Sequence, residues 1–139
     1  RAANLLTWPF ARQWVPLVIG KEQQGNPRND LHACYWMMTY PTTALMPMAA
    51  IVAAVDRESY DDVEVPALFY YSRQDQVVAP KKTAAFARSW GGESNSIIAS
   101  LTADDDKFSH IIAGDIVSPN QTESAVEHML AWITGLQNR

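Results

Sequence analysis

The chain has 139 residues, of which 47% are hydrophobic and 19% are charged, and its formal net charge is -4. This length and composition are typical of one globular domain and exclude a disordered chain. The negative charge excludes a general basic surface, so we expect no nucleic-acid partner. No uncharged apolar run reaches the roughly 18 residues that a transmembrane segment needs, and no leader-like segment is present. We therefore expect a cytoplasmic protein that acts on a small molecule.

Cysteine and histidine are too sparse in this sequence for a disulfide framework or a zinc site. Cys34 is the single cysteine, and no Cys/His cluster has the spacing of zinc ligands. Its neighbours Ala33, Tyr35 and Trp36 favour packing of Cys34 as a small buried hydrophobe over a reactive thiol. We expect no metal and no cofactor, so burial of apolar side chains must hold the fold together.

The first part of the chain predicts short helices and turns. Residues 1–28 mix aromatic and aliphatic side chains with prolines at positions 9 and 16. A short strand over residues 15–19 is the alternative, although Pro16 would restrict that strand to a sheet edge. Residues 25–30 predict a polar turn.

Residues 44–55 predict an amphipathic helix. Pro47 must lie in its first turn, because a deeper proline would remove a backbone hydrogen bond and clash with the preceding turn. The apolar side chains recur with the spacing of one helical face; they are Ala44, Leu45, Met48, Ile51, Val52 and Val55.

The following part predicts a strand, a helix and a second strand. Residues 65–71 form a continuous apolar run without helical spacing, which is typical of a buried strand. Pro80 can begin a helix, and the glycine pair Gly91 and Gly92 can end it. Residues 96–101 predict the next strand. A βαβ unit of this length makes its two strands parallel.

A last helix is predicted over residues 122–136, with Asn120 or Thr122 as its N-cap. Its apolar face consists of Val126, Met129, Leu130 and Ile133. The predicted fold class is therefore α/β, with parallel strands and flanking helices.

Asp75 and His110 are the candidate site residues. Asp75 follows the first predicted strand, and His110 lies in the loop after the second. The carboxyl ends of parallel strands share one sheet edge, where reactive groups gather. A histidine that acts as a general base needs one ring nitrogen held by a carboxylate. We therefore expect the Asp75 carboxylate and the His110 ring within hydrogen-bond distance, about 2.6–3.2 Å.

Other arrangements of these residues remain open. Asp75 and His110 can be a turn residue and a surface residue without a shared role. The three carboxylates at positions 104–106 offer a rival acid for His110, although such a run is usually a solvated turn and lacks the spacing of a calcium loop. His32 and His128 are expected to be structural or solvated.

Three segments carry a family resemblance: VPAL at residues 65–68, SRQDQVVAP at 72–80 and SHIIAGD at 109–115. They resemble the acid loop and the histidine loop of α/β-hydrolases, particularly the monoacylglycerol lipase and carboxylesterase-like branch. The resemblance implies the C-terminal portion of an α/β-hydrolase core over residues 40–139. Residues 1–39 are similar in position to the helical lid or cap segment of that family.

The resemblance implies a serine hydrolase acting on carboxylic esters, with Asp75 as the acid, His110 as the base and an ester or acyl substrate. The family order is serine, acid, histidine. No Gly-x-Ser-x-Gly elbow occurs in the sequence, since the nearest stretch, residues 92–96, lacks the second glycine. We therefore expect the serine and the oxyanion hole in a missing N-terminal half. The chain alone should be inactive and should self-associate through a strand edge or an exposed apolar face.

The sequence allows two further interpretations to be weighed, a nucleotide-binding domain and a non-catalytic hydrolase fold. A nucleotide-binding α/β domain is disfavoured, because no glycine-rich turn joins a strand to a helix and only two strands are predicted. A non-catalytic member of the hydrolase fold, which binds a ligand or a partner, stays open because a fold does not dictate a function.

Overall fold

A computed structural model describes residues 2–138 and shows a mixed α/β chain with two small sheets. The chain divides into two compact units, Arg1–Ser59 and Tyr60–Arg139. The sequence-based division after residue 39 follows the topology of the resembled family and stays a prediction.

The first unit contains short helices and one small antiparallel sheet. Strands β1 (Glu22–Gln24) and β2 (Thr39–Pro41) pair so that Gln23 lies opposite Tyr40. This sheet was not predicted, because strands of three residues are too short to show an alternating pattern. The elements in chain order are a 3-10 helix Ala2–Thr7, α1 Ala11–Ile19, β1 Glu22–Gln24, α2 Asp30–Tyr35, β2 Thr39–Pro41, a 3-10 helix Thr42–Ala44 and α3 Leu45–Val55.

Helix α1 contains Pro16 in its interior, so the strand alternative for residues 15–19 is wrong. Pro16 cannot donate the backbone hydrogen bond that a helical residue normally makes to Arg12. The helix persists because Ala11 and Val15 are buried and α1 packs against both 3-10 helices of this unit. Tertiary packing thus outweighs the local effect of proline.

Helix α3 is confirmed, with Pro47 in its first turn. The predicted apolar face, however, is not the buried one. Ala49 is the buried residue of α3, whereas Met48, Ile51, Val52 and Val55 are exposed. Ten of the eleven residues of this helix are apolar side chains other than proline, so their spacing does not identify which side is buried.

The second unit contains the predicted βαβ arrangement. Strands β3 (Ala67–Tyr71) and β4 (Ser94–Ile98) are parallel, and Tyr71 lies opposite Ile98. Strand β4 is shifted toward the N-terminus from the predicted range 96–101. Polar Ser94 and Asn95 begin the ladder, where the apolar pattern gave no signal. The elements are β3 Ala67–Tyr71, α4 Pro80–Arg88, β4 Ser94–Ile98, a 3-10 helix Pro119–Gln121 and α5 Thr122–Gln137.

The side chains of β3 are half-buried, which corrects the prediction of a fully buried strand. Within residues 2–138, β3 pairs with β4 alone. Helix α4 packs against both strands. The apolar run in the sequence predicted the strand correctly but overestimated how completely it is covered.

An aromatic cluster joins α4 to β3. Phe86 meets the rings of Phe69 and Tyr60 edge to face, at centroid distances of 5.9 and 4.7 Å. Trp90 stacks on Tyr60 at 5.9 Å, and its Nε1 donates a hydrogen bond to the carbonyl of Val65 at 2.8 Å. These contacts anchor the segment that leads into the start of β3.

The glycine pair follows α4 as predicted, and its first member meets the chain closely. The N–H of Gly91 donates to the carbonyl of Tyr60 at 2.9 Å. A Cβ on Gly91 would overlap the main-chain carbonyl of Asp61, so only glycine allows this approach.

Two local predictions are wrong. Gln121, not Asn120 or Thr122, is the N-cap of α5, and it makes no side-chain capping hydrogen bond. The hydroxyl of Thr122 instead accepts from the N–H of Gly114 at 3.2 Å and bonds to Asp115 at 3.0 Å. Cys34 is exposed, because α2 has only six residues and none of them is buried.

Candidate functional site

Asp75 and His110 meet at the carboxyl ends of β3 and β4. Asp75 lies in the turn after β3, and His110 lies in the loop between β4 and α5. The Oδ2 of Asp75 is 2.9 Å from the Nδ1 of His110. A second bond joins the two loops, since the N–H of Gln76 donates to the carbonyl of Phe108 at 2.9 Å. The expected distance between the two side chains is confirmed, whereas their catalytic roles stay a prediction.

The Asp75 carboxylate is held by its own turn as well as by His110. Its Oδ1 accepts the N–H groups of Val77 at 2.7 Å and Val78 at 2.8 Å. Burial raises the pKa of Asp75, but the hydrogen bonds from His110, Val78 and Val77 and the charge of His110 outweigh burial and lower that pKa. The carboxylate is therefore ionised and points one oxygen at the imidazole.

The His110 ring is held at one nitrogen and open at the other. Its side chain is 40% exposed, while that of Asp75 is 9% exposed. Because ionised Asp75 can only accept a hydrogen bond, Nδ1 must carry the proton in this pair. The Nε2 of His110 makes no hydrogen bond to any residue between 2 and 138. In the neutral ring that nitrogen carries a free lone pair, as a general base requires.

A second carboxylate holds the backbone of the histidine loop. The Oδ2 of Asp106 accepts the N–H of His110 at 2.9 Å and the N–H of Ile111 at 2.8 Å. Its Oδ1 accepts the N–H of Phe108 at 3.2 Å. Asp106 is buried, so it is not part of a solvated turn as expected. It binds main-chain groups, whereas the ring of His110 pairs with Asp75, and Asp106 is therefore not a rival acid.

Two buried serines complete the support of this loop. Ser118 is fully buried, and its hydroxyl accepts the N–H of Asp106 at 3.0 Å and donates to the carbonyl of Ile111. Ser109, directly before His110, has a φ of 52°, a left-handed conformation that is uncommon for serine. Its N–H donates to the carbonyl of Asp106 at 2.7 Å. The surrounding hydrogen bonds hold this strained residue in place.

Asp105 links the start of the histidine loop to the start of α5. It is buried, and its Oδ2 accepts from the N–H and the hydroxyl of Thr102 and from the side-chain amide of Gln121, at 2.8–2.9 Å. Burial raises the pKa of Asp105, but the hydrogen bonds from Thr102 and Gln121 outweigh it and lower the pKa. Asp105 therefore also departs from the expected solvated turn.

Sequence reasoning missed the supporting roles of Asp105 and Asp106. A usable signal exists, because aspartates in loops often accept backbone N–H groups two or more residues further along the chain. Asp106 precedes His110 by four residues, which is within that range. The run of three acidic residues concealed the signal, since such runs are usually solvated.

The other two histidines contact residues outside the Asp75 and His110 pair. The Nδ1 of His128 lies 3.4 Å from the hydroxyls of Tyr70 and Ser124. The Nδ1 of His32 accepts the N–H of Arg28 at 3.2 Å, and its ring packs edge to face on Trp36. Neither histidine belongs to the Asp75 and His110 pair.

Among residues 2–138, no group of three or more His, Cys, Asp or Glu side chains is arranged to hold a metal ion. No helix in that range combines the length and the apolar character needed to cross a bilayer.

Comparison with protein-family models, with curated proteins and with solved structures gave no match. The likeness to α/β-hydrolases therefore depends on the acid and histidine segments quoted above. The chemistry available to this site follows from the contact between the Asp75 carboxylate and the His110 ring.

Proposed function

We propose that Asp75 and His110 are the acid and the base of a serine hydrolase that acts on carboxylic esters. The observation that supports this proposal is the 2.9 Å contact between Asp75 Oδ2 and His110 Nδ1, which leaves Nε2 without a hydrogen-bond partner among residues 2–138. One nitrogen held by a carboxylate and one available to a reactant is the arrangement that proton transfer from a serine requires.

The proposed reaction uses the pair in two directions. His110 Nε2 takes the proton of the serine hydroxyl while the serine oxygen attacks the ester carbonyl carbon. The ionised Asp75 stabilises the imidazolium that forms. The imidazolium then gives its proton to the leaving alcohol, and an acyl-serine remains. A water molecule, deprotonated by the same nitrogen, hydrolyses that acyl-serine and restores the free serine.

The nucleophile belongs to a segment other than the one described. No Gly-x-Ser-x-Gly elbow occurs in the 139 residues, so the proposal assigns the serine and the oxyanion donors to an N-terminal half of the same protein. Residues 40–139 would then be the C-terminal part of the hydrolase core, and residues 1–39 would be its lid-like segment. A cytoplasmic location of this parent protein stays a prediction.

The direct test measures ester hydrolysis by the parent protein and by variants of the pair. We expect His110→Ala to lower kcat by about 10³-fold or more, because a complete triad acts as a unit. Asp75→Asn should lower kcat nearly as much. His128→Ala is the matched control, since it removes a histidine of the same unit outside the pair, and its kcat should stay within about twofold of the parent. A fully active His110→Ala parent contradicts the proposal.

A measurement on the chain itself separates an oriented base from an accidental contact. In ¹⁵N NMR spectra of the neutral imidazole, we expect the proton of His110 on Nδ1. Asp75→Asn should move the proton to Nε2, because the side-chain amide can donate to Nδ1. A proton on Nε2 in the unchanged chain would contradict the assignment of Nε2 as the base.

The alternative is a non-catalytic member of the hydrolase fold. Such a protein would keep the Asp75 and His110 contact and the Nδ1 proton, but its parent would hydrolyse no ester. The two experiments together therefore distinguish the proposed enzyme from this alternative.

A further inference from the structure

A groove lies along strand β4, on the side of the sheet that carries α4. Its volume is about 890 Å³. The floor includes alternate β4 side chains, Ser94, Ser96 and Ile98, and α4 forms one wall. Alanines at positions 84 and 87 of that wall are small, which leaves room beside the strand. The groove belongs to the second compact unit and does not include Asp75 or His110.

The groove is lined by cations without acidic counterparts. Arg73, Lys81 and Arg88 line it, and among the described residues no aspartate or glutamate does. Within residues 2–138, none of these three side chains forms an ion pair. These three cations make no ion pair there even though acidic side chains outnumber basic ones in the whole chain, whose net charge is -4. The positive field of the groove is therefore left for an anionic group of a ligand.

One edge of β4 is also available in the described part of the chain. There β4 pairs with β3 alone, so the backbone groups on its other edge have no partner strand. A chain segment laid along this edge would add a strand and project every second side chain over the same face as Ser94, Ser96 and Ile98. That face is the floor of the groove.

The spacing of the cations suits such a segment. Lys81 and Arg88 are seven residues apart on α4, which corresponds to about 10 Å along the helix. Side chains on one face of a strand repeat about every 7 Å, so successive acidic side chains would fall within reach of both cations. Arg73, two residues beyond the end of β3, would meet the segment at the carboxyl end of the sheet.

A nucleic acid fits this groove less well than a peptide. Binding of single strands uses aromatic rings on which bases stack. The indole of Trp90 is already stacked on Tyr60 and bonded to the carbonyl of Val65. The phenol of Tyr71 is then the single aromatic ring left among the residues that line the groove.

We propose that this groove binds an acidic peptide segment of a partner protein in extended conformation, as an added strand along β4. The peptide backbone pairs with the free edge of β4, and its acidic side chains contact Arg73, Lys81 and Arg88. This interaction does not depend on the proposed hydrolase activity, because Asp75 and His110 lie outside the groove.

The test uses fluorescence anisotropy of the full chain with three labelled peptides. The first alternates glutamate with valine, the second has glutamine at each glutamate, and the third is the first with an N-methyl group on every amide. We expect the first to bind, with a Kd that rises with added salt. The second should bind at least about fivefold more weakly, because the charges are lost. The third should bind more weakly than the first, because its methylated amides cannot donate backbone hydrogen bonds to β4.

Variants locate the binding to the groove. The double variant Lys81→Gln/Arg88→Gln should raise Kd about tenfold. Lys82→Gln/Lys107→Gln changes the net charge equally outside the groove lining, and should leave Kd within about twofold. Thermal unfolding checks that both variants keep the fold. Equal loss in both variants, equal binding of the glutamine peptide or no effect of N-methylation would each overturn the proposal. Tighter binding of an oligo-dT that depends on Lys81 and Arg88 would overturn it in favour of a nucleic acid.

Discussion

Two carboxylates share the work of placing His110. Asp75 holds the ring through Nδ1, whereas Asp106 holds the N–H groups of His110 and Ile111 in the backbone. The ring contact decides which nitrogen carries the proton, and the backbone contacts decide where the ring is attached. A loop that connects a strand to a helix is otherwise among the more mobile parts of a protein. The second carboxylate therefore matters for any function of the first.

The backbone role of Asp106 gives a prediction for stability. Asp106→Ala leaves three part-buried N–H groups that bind the carboxylate without this acceptor, so the free energy of unfolding should fall by about 2–4 kcal/mol. Asp104→Ala is the matched control, because Asp104 is the exposed neighbour in the same acidic run, and its effect should stay within about 0.5 kcal/mol. Urea unfolding of both variants measures the difference, and equal values would contradict the structural role of Asp106.

The lowered pKa of Asp75 gives a prediction for pH. Its folded pKa lies below its unfolded pKa, so ionised Asp75 stabilises the fold above the unfolded value of about 3.9. This contribution is lost as the pH falls through the folded pKa. Between about pH 5 and pH 2, the difference in unfolding free energy between the chain and Asp75→Asn should therefore shrink as the pH falls. Asp105 titrates in both proteins, so taking the difference removes its contribution. A difference that grows on acidification would reverse the sign of the inferred shift.

At the scale of elements, α4 and its glycine pair determine how β3 and β4 are joined. The main chain of residues 60 and 61 passes against Gly91, while Trp90 and Phe86 pack on Tyr60. The glycine pair therefore does more than end a helix. It lets two backbone segments touch, and it brings the aromatic cluster together at the start of the βαβ unit.

Two glycine-to-alanine substitutions provide a matched comparison of stability. Gly91→Ala should lower the free energy of unfolding by more than about 2 kcal/mol, because its Cβ would overlap the Asp61 carbonyl. Gly135→Ala lies in α5, where nothing lies within 4 Å of the new Cβ, and should raise the free energy of unfolding by about 0.5–1 kcal/mol. Thermal unfolding should show opposite shifts, and a neutral Gly91→Ala would contradict the close approach.

The elements that sequence reasoning predicted are those with strong local signals. The apolar run of residues 65–71, Pro80 and the glycine pair predicted β3, α4 and their order, because strand and helix boundaries there have distinct residue types. The strand alternative for residues 15–19 was wrong, since the burial of Ala11 and Val15 in α1 is not visible locally. The Asp75 and His110 contact followed from topology, whereas the Asp106 support requires contacts that depend on the folded loop.

At the scale of the molecule, apolar side chains that could form a core are left exposed. The predicted apolar face of α5 is present, yet its residues face solvent; they are Val126, Met129, Leu130 and Ile133. The same holds for much of α3. Contiguous exposed apolar surface of this kind favours association with another surface.

We therefore expect the chain to self-associate at tens of micromolar, as was predicted from its sequence. Sedimentation velocity should show a concentration-dependent increase in mass. Leu130→Glu should shift the chain toward the monomer, because it puts a charge into the apolar face of α5. Ala131→Glu adds the same charge at an exposed position of α5 that does not belong to that face and should leave the distribution unchanged. A monomeric chain at these concentrations would contradict the prediction.

The hydrogen bonds of the histidine loop also have a kinetic consequence. The N–H groups of Phe108, His110 and Ile111 all donate to the Asp106 carboxylate. The Ser118 hydroxyl links the backbone N–H of Asp106 to the carbonyl of Ile111. Their release requires one common opening event, so their amide protons should exchange with solvent at similar rates rather than independently. Each such opening also removes the imidazole from Asp75. The fraction of time for which the His110 imidazole meets Asp75 is thus set by the closure of a loop, not by the ring itself.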